Sequence, residues 1–255
     1  MRPLLEARER FAVAVIGAGS ADALVSLAVE ACREFAIPIC AAAVLAAGGG
    51  ARLFKWMLAD AAAPGAALEN LFFDHLAGSV LDVVHAHGLP LPLLRPLQRS
   101  RAIEEYGALI LRAAGLRGDD AAKFQRERRP DIRAALALDL RARLECREIA
   151  ELFAEMVGQG HRLPSLSFVV GVADFYATLR RREQVADEGD IYGGPVRPAA
   201  DCPLVLIDEA HAVPPLGRRA VARLFPRAGV ILAGEDAGDW FTVLPPGRRL
   251  LLSME

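Results

Sequence analysis

A short apolar run that ends in two carboxylates constrains the fold of this chain more than any other segment. Residues 204–207 read Leu-Val-Leu-Ile and are followed directly by Asp208 and Glu209. Consecutive apolar residues without polar alternation are typical of a parallel strand that is buried on both faces. The pattern therefore predicts a strand in the middle of a parallel sheet, with both carboxylates at the sheet's carboxyl edge.

A second predicted strand, residues 11–16, runs into a glycine-rich turn near the N-terminus. The turn reads Gly17-Ala-Gly19-Ser20 and precedes a predicted helix over residues 21–35. Backbone N–H groups of such a turn, together with the helix N-terminus, can hold phosphate. Gly17, Gly19 and Ser20 are therefore the candidate nucleotide-binding residues.

The residues after this turn differ from a working phosphate loop, which would continue with Gly-Lys-Thr where this chain reads Ala21-Asp22-Ala23. Such a loop carries a lysine that reaches the β- and γ-phosphates and a hydroxyl that binds magnesium. Asp22 occupies the lysine position and Ala23 the hydroxyl position. A carboxylate there opposes phosphate binding, although Asp22 would also suit the positive end of the following helix.

The order of predicted elements indicates an α/β fold with a helical insertion. We expect a parallel sheet with helices on both faces, formed by residues 1–90 and 200–255, and an insertion over residues 91–199. Gly- and Pro-rich residues 189–203 are predicted to form a return loop. The predicted strands are 11–16, 37–45, 79–85 (or a short helix leaving a strand), 204–207 and 229–233, and the predicted helices are 21–35, 51–62, 103–114, 131–157, 166–182 and 216–224.

Composition limits the classes of partner. A net charge of -2 gives no overall attraction to nucleic acid, so any DNA-binding surface must be a local patch. The uncharged stretch 35–51 contains Pro38 and three glycines and is short for a bilayer, so we expect no membrane span. The cysteines Cys32, Cys40, Cys146 and Cys202 form no CxxC pair, which predicts buried free thiols in a reducing, cytoplasmic setting.

The later motifs resemble those of superfamily 1 DNA helicases of the UvrD/RecB type. Asp208-Glu-Ala-His211, then Ala212-Val-Pro-Pro-Leu216, a helix, and Gly229-Val-Ile-Leu-Ala-Gly-Glu235 are similar to the family's motifs II and III. The turn at Gly17 is similar to the start of its Gly-Ala-Gly-Ser-Gly-Lys-Thr loop. The resemblance implies a RecA-like sheet and a helical insertion that corresponds to the family's 1B subdomain.

The resemblance also implies roles for individual residues. Asp208 would hold magnesium and Glu209 would position water, with ATP as the nucleotide. Trp240 and Phe241 follow motif III, where the family stacks an aromatic side chain on a DNA base, although a core role stays open for both. The arginine run Arg180, Arg181 and Arg182 is a further candidate nucleic-acid contact, or a solvated helix face.

The departures from the family pattern predict a domain that no longer hydrolyses ATP. His211, Glu235 and Gly238 replace family residues, and the second motor domain would have to come from another chain. We therefore expect a scaffold or nucleic-acid-binding subunit beside a helicase or nuclease in DNA repair or recombination. One alternative is an ATP-dependent helicase component that a partner completes.

The other alternative is a Rossmann-type oxidoreductase. The segment Val-Ile-Gly-Ala-Gly-Ser around Gly17 is similar to the dinucleotide fingerprint. That fingerprint requires a small residue at the position of Asp22 and an acidic residue at the end of the second strand. Residues 41–47 supply no acid there.

Overall fold

A computed structural model describes residues 11–17, 20–48, 50–51, 57–58, 60–61 and 76–253. The chain divides into two compact units. The first, here called the core unit, comprises Met1–Leu89 with Tyr192–Glu255, and the second, the helical unit, comprises Pro90–Ile191.

The core unit is built on a sheet of six strands that are all parallel. Their order across the sheet is β3-β2-β4-β5-β1-β6. The expected parallel α/β fold is therefore confirmed, and the apolar run at 204–207 does form an interior strand. The strands are β1 Phe11–Ile16, β2 Ala43–Ala46, β3 Ala77–Ser79, β4 Leu204–Asp208, β5 Gly229–Gly234 and β6 Arg248–Ser253.

Helices cover both faces of this sheet. Helix α1 (Ser20–Glu34) packs on β1, β5 and β4, where Val13 and Val15 face it. The alternate residues Ala12 and Ala14 are equally buried, so the opposite face is covered as well. The connection from β1 to β2 and the connection from β4 to β5 run in opposite directions across the sheet. Because parallel crossovers are right-handed, their helices lie on opposite faces.

The remaining helices of the core unit are short. Helix α2 (Val80–Ala86) follows β3 directly and packs against α8 (Pro215–Leu224), which connects β4 and β5. Helix α9 (Trp240–Val243) lies between β5 and β6 and also packs against α8. Short 3-10 turns span Ile39–Ala41 and Ala210–Ala212.

The helical unit consists mainly of four helices. They are α3 Pro96–Ala113, α4 Gly118–Leu144, α5 Ile149–Gly158 and α6 Leu166–Glu183. The long helix α4 packs against each of the other three. Its apolar residues Leu136 and Leu138 enter two separate clusters, one with Tyr176 and Leu179 and one with Leu152.

Several predicted element boundaries were wrong for identifiable reasons. The strand predicted from Ile37 is confined to Ala43–Ala46, because the chain after Pro38 makes a 3-10 turn. The single helix predicted over 131–157 is two helices, because Cys146 adopts a left-handed φ of 56° and reverses the chain. Non-glycine residues rarely adopt that conformation, so the sequence carries no obvious signal for the break.

Other differences concern elements that the sequence patterns did not indicate. Residues 188–193 form α7 (Glu188–Gly193) at the start of the predicted return loop. Strand β6 was not predicted, and the ambiguous stretch 79–85 is the end of β3 followed by α2. The helix predicted over 51–62 falls largely outside the described residues. Cys146 is exposed, which corrects the expectation that it is buried, whereas Cys32 and Cys202 are buried.

Candidate functional site

The loops that follow β1, β4 and β5 meet at the carboxyl edge of the sheet. After β1 the chain crosses toward β2, and after β5 it crosses the other way toward β6. Ligands of open parallel sheets bind where the connections diverge in this way. The candidate nucleotide site therefore lies at the switch point between β1 and β5.

The glycine turn after β1 is held against the loop after β5. Gly17 adopts a φ of 107°, a conformation that favours glycine, and its N–H donates to the carbonyl of Gly234 at 3.1 Å. The N–H of Ser20 donates back to the carbonyl of Gly17 at 3.3 Å, which leads the chain into α1. Gly19 lies outside the described residues. Asp22 is exposed in the first turn of α1.

The two carboxylates predicted at the end of β4 differ in setting. Asp208 is half-buried, and its Oδ1 accepts the N–H of Glu209 at 2.9 Å. Glu209 is exposed and adopts a left-handed φ of 51°, which ends the strand. Its Oε2 lies 3.4 Å from the position that a Cβ on Gly48 would occupy, so Glu209 reaches over the loop after β2.

Magnesium at Asp208 would need ligands from beyond the protein. Among the described residues, no group of three or more His, Cys, Asp or Glu side chains could hold a metal ion. Magnesium is usually held by one or two carboxylates, with phosphates and waters as the other ligands. Asp208 fits the protein share of such a shell, and the rest would come from a bound nucleotide.

A buried arginine ties the loop after β4 to the loop after β5. Arg218 of α8 is 7% exposed, and its Nε and Nη2 donate to the carbonyls of Val213 at 2.8 Å and His211 at 3.1 Å. Its Nη1 donates to Asp239, and its guanidinium lies 5.8 Å from the centre of the Trp240 ring. We call Arg218, His211, Asp239 and Trp240 the Arg218 cluster. Sequence reasoning did not single out Arg218.

Two further hydrogen bonds complete this connection. The Nε1–H of Trp240 donates to the carbonyl of Ala210 at 2.9 Å, and the N–H of Glu235 donates to Nδ1 of His211 at 3.2 Å. In this arrangement Nδ1 of His211 acts as an acceptor. The loops after β4 and β5 are therefore joined by side chains from both.

The placement of Trp240 corrects its predicted role in stacking on DNA. Trp240 is 0% exposed and is a core residue, so its ring has no free face for a base. Phe241 is half-buried on the next position of α9. Position 240 therefore packs within the Arg218 cluster.

The three arginines at the end of α6 are not equivalent. Arg180 is buried, and its Nε lies 2.6 Å from Oδ2 of Asp190. Its guanidinium stacks 4.3 Å from the centre of the Tyr176 ring. The predicted contact of Arg180 with nucleic acid is therefore wrong, because the guanidinium is enclosed by protein. Arg181 and Arg182 are exposed. Of this run, Arg181 and Arg182 stay candidate phosphate contacts.

Arg180 belongs to an ionic cluster that sequence reasoning missed. Asp187 is fully buried and accepts from Nη1 and Nη2 of Arg143 at 2.9 and 2.5 Å, while Arg143 also pairs with Asp139. Burial raises the pKa of Asp187, but the hydrogen bonds and charges of Arg143 and Arg180 outweigh it and hold that pKa below its usual value. The partners are 44 residues apart, so no local pattern indicates the pairing.

Comparisons with known proteins leave the family open. A scan against protein-family models finds no match to this chain, and a search of curated proteins finds none either. Within the described part of the chain, no helix has the length and apolar character needed to cross a bilayer.

Proposed function

We propose that this chain is a degenerate helicase-type ATPase domain that no longer hydrolyses ATP and acts as a scaffold or nucleic-acid-binding subunit in a DNA repair or recombination assembly. The observation that carries the proposal is the convergence of three loops. Gly17 donates to Gly234 at the end of β5, and the loop that begins at Asp208 and Glu209 is joined through His211 to Glu235. These are the segments that resemble the phosphate loop and motifs II and III.

Electrostatics supports the loss of hydrolysis. Asp22, Asp208, Glu209, Glu235 and Asp236 all lie at the starts of these loops or of α1. Two like charges about 4 Å apart repel by about 4 kcal/mol at the effective dielectric of a protein surface. A triphosphate that approached without the lysine would therefore meet carboxylates at the position where it needs a cation.

The motif III loop supports the same conclusion by packing. Gly238 stands where the family has glutamine, and it adopts a left-handed φ of 47°. A Cβ at this position would overlap the guanidinium of Arg218. A glutamine therefore cannot replace Gly238 without displacing Arg218, so we infer that this loop has exchanged a nucleotide-sensing side chain for a structural arginine.

Strand order bears on the oxidoreductase alternative. In the Rossmann order β1 lies beside β2, whereas here β1 lies between β5 and β6. The order is instead compatible with a RecA-like sheet, which favours the helicase-type proposal. The alternative of an ATPase completed by a partner differs from it in one measurable property, nucleotide binding.

Calorimetric titration with ATP and magnesium tests the proposal. We expect the wild-type protein to bind ATP more weakly than about 10 μM, which corresponds to roughly 7 kcal/mol. The double variant Asp22→Lys with Ala23→Thr restores the two missing phosphate-loop groups and should bind at least about tenfold more tightly. Binding by the wild type tighter than about 10 μM would favour the ATPase alternative.

A charge control makes the gain of binding interpretable. Glu30→Lys makes the same change of charge as Asp22→Lys, at an exposed position further along α1. It should leave ATP binding unchanged, because a lysine there is not at the turn. Equal gains in Glu30→Lys and in the double variant would refute a retained phosphate-loop frame.

The carboxylates of motif II give a second test. If hydrolysis is lost, Asp208→Asn with Glu209→Gln should leave binding of a single-stranded oligonucleotide within about threefold of wild type, measured by fluorescence anisotropy. Arg181→Gln with Arg182→Gln should reduce that binding and lower its salt dependence. If the Asp208 and Glu209 variant lost binding while remaining folded, an active role for these carboxylates would be restored.

A further inference from the structure

The helical unit carries an apolar groove that the proposed function does not use. Helices α3 and α6 both pack on α4, and residues from all three line a space of about 300 Å3. Apart from Gln125 and Arg128, every lining residue is apolar or glycine. The apolar lining includes Ile103, Leu111, Phe124, Ile132, Phe168 and Phe175.

A glycine faces the open space of this groove. Gly107 of α3 lies against the amide of Gln125, whereas Gly171 of α6 has no such neighbour, and glycine inside a helix costs about 1 kcal/mol relative to alanine. A Cβ on Gly171 would meet no atom within 4 Å, so packing within the chain does not require a glycine there. Two lining residues, Ile110 and Phe124, also remain 49% and 42% exposed.

One cation stands at the groove. Arg128 is the only charged lining residue, and its guanidinium lies 5.6 Å from the centre of the Phe124 ring. It pairs with Asp131 through Nη1 at 2.9 Å, and both side chains are about a third or more exposed. An exposed pair of this kind is weak, so Arg128 can also pair with an anionic ligand.

The size of the groove limits its occupant. A volume of about 300 Å3 lies at the lower end of small-molecule pockets and holds roughly ten water-sized groups, at about 30 Å3 each. A standard protein interface uses about 20–30 residues on each side, many more than line this groove. Volume and lining therefore fit a small molecule better than a protein surface.

We propose that this groove binds a medium-chain amphiphile with an anionic head group, such as a carboxylate of about ten carbons. The apolar chain lies against Gly171 and the apolar side chains of the lining, and the carboxylate pairs with the guanidinium of Arg128. The groove lining includes neither the residues at the sheet edge nor Arg181 and Arg182. This site is a property of residues in the helical unit alone.

Titration of the full chain with decanoate tests the site, using calorimetry together with the methyl NMR signals of Ile103 and Ile110. Wild type should bind decanoate and shift both methyl signals. Gly171→Leu fills the groove and should weaken binding at least about tenfold. Gly158→Leu, at another helical glycine with open space around it, should change binding less than about twofold. If Gly171→Leu fails to fold, Gly171→Ala provides the test, with an expected loss of about twofold to threefold.

The charge of the ligand is tested separately. Arg128→Gln should weaken decanoate binding about fivefold but leave decan-1-ol binding unchanged, because only the carboxylate uses the guanidinium. Arg101→Gln removes a different exposed ion pair of α3 and should affect neither ligand. Three outcomes would each overturn the proposal. They are the absence of decanoate binding at about 1 mM, decanoate binding that the Gly171 variants leave unchanged, and dimerisation of the chain that Gly171→Leu abolishes.

Discussion

Replacement of Asp187 by asparagine should destabilise the helical unit strongly. Its carboxylate is fully buried and accepts two hydrogen bonds from Arg143, and one oxygen lies 3.4 Å from Nη1 of Arg180. Removing one partner of a buried pair costs about 3–5 kcal/mol, because the remaining charge is left without compensation. Arg143 keeps Asp139 and is partly exposed, so we expect the lower end, about 3 kcal/mol.

Urea denaturation followed by far-UV circular dichroism measures this loss. Trp240 is buried in the core unit, so in a Trp56→Phe background its fluorescence reports on the sheet separately. Asp187→Asn should lower the midpoint of the circular dichroism transition more than that of the fluorescence transition. Glu105→Gln breaks an exposed pair with Arg101 and serves as the control, with an expected loss below about 0.5 kcal/mol.

The pH dependence of the same difference follows from the lowered pKa of Asp187. A carboxyl group whose pKa is lower in the folded state stabilises it fully above the unfolded pKa of about 4, and this stabilisation is lost as the pH falls through the folded value. The free energies of unfolding of wild type and Asp187→Asn should therefore differ by a constant amount between about pH 5 and about pH 8. The two should converge as the pH falls below about 4. A loss under about 1 kcal/mol at pH 7, or a difference that grows in acid, would refute the reasoning.

Two further predictions concern the buried thiol and the buried indole. Burial raises the pKa of Cys32 to about 11, so at about pH 8 iodoacetamide should modify Cys32 about a hundredfold more slowly than the exposed Cys146. Peptide mass spectrometry measures both rates, and the two should become equal in urea. Equal rates in the folded protein would contradict the burial of Cys32. Trp240→Phe leaves the carbonyl of Ala210 without its donor and should lower the free energy of unfolding of the core unit by about 2 kcal/mol. Phe241→Leu, at the half-buried neighbour, should lower it by less than about 1 kcal/mol. Equal losses would show that the indole hydrogen bond contributes nothing.

The parts of the fold that sequence patterns predicted are those with local periodicity. The apolar runs at 11–16 and 204–207 are interior strands because both faces of the sheet are covered, and apolar composition reports that directly. The turn at Cys146 and strand β6 lacked such a signal. The first depends on a left-handed residue that is not glycine, and the second begins with two arginines at the edge of the sheet.

The sequence predicted where a site residue lies along a strand or loop, but it did not predict whether the side chain is buried or exposed. Asp208 lies at the end of β4, as the run before it indicates. Trp240 lies at the place where the resemblance puts a base-stacking aromatic, yet it is buried because Arg218 and the carbonyl of Ala210 hold it. Arg218 and Asp187 act through partners distant in sequence, and such pairings appear only when the chain is folded.

The strand order has a consequence for the synthesis of this protein. Strand β1 leaves the ribosome well before both of its neighbours, β5 and β6, with Ala12 opposite Val230 and Phe11 opposite Arg248. The helical unit is made of one continuous stretch with mostly local contacts, so it can fold while the chain is still growing. Between the emergence of Ile191 and that of β5, a nascent chain would therefore carry a complete helical unit together with an unpaired β1, whose apolar residues stay exposed until β5 is made.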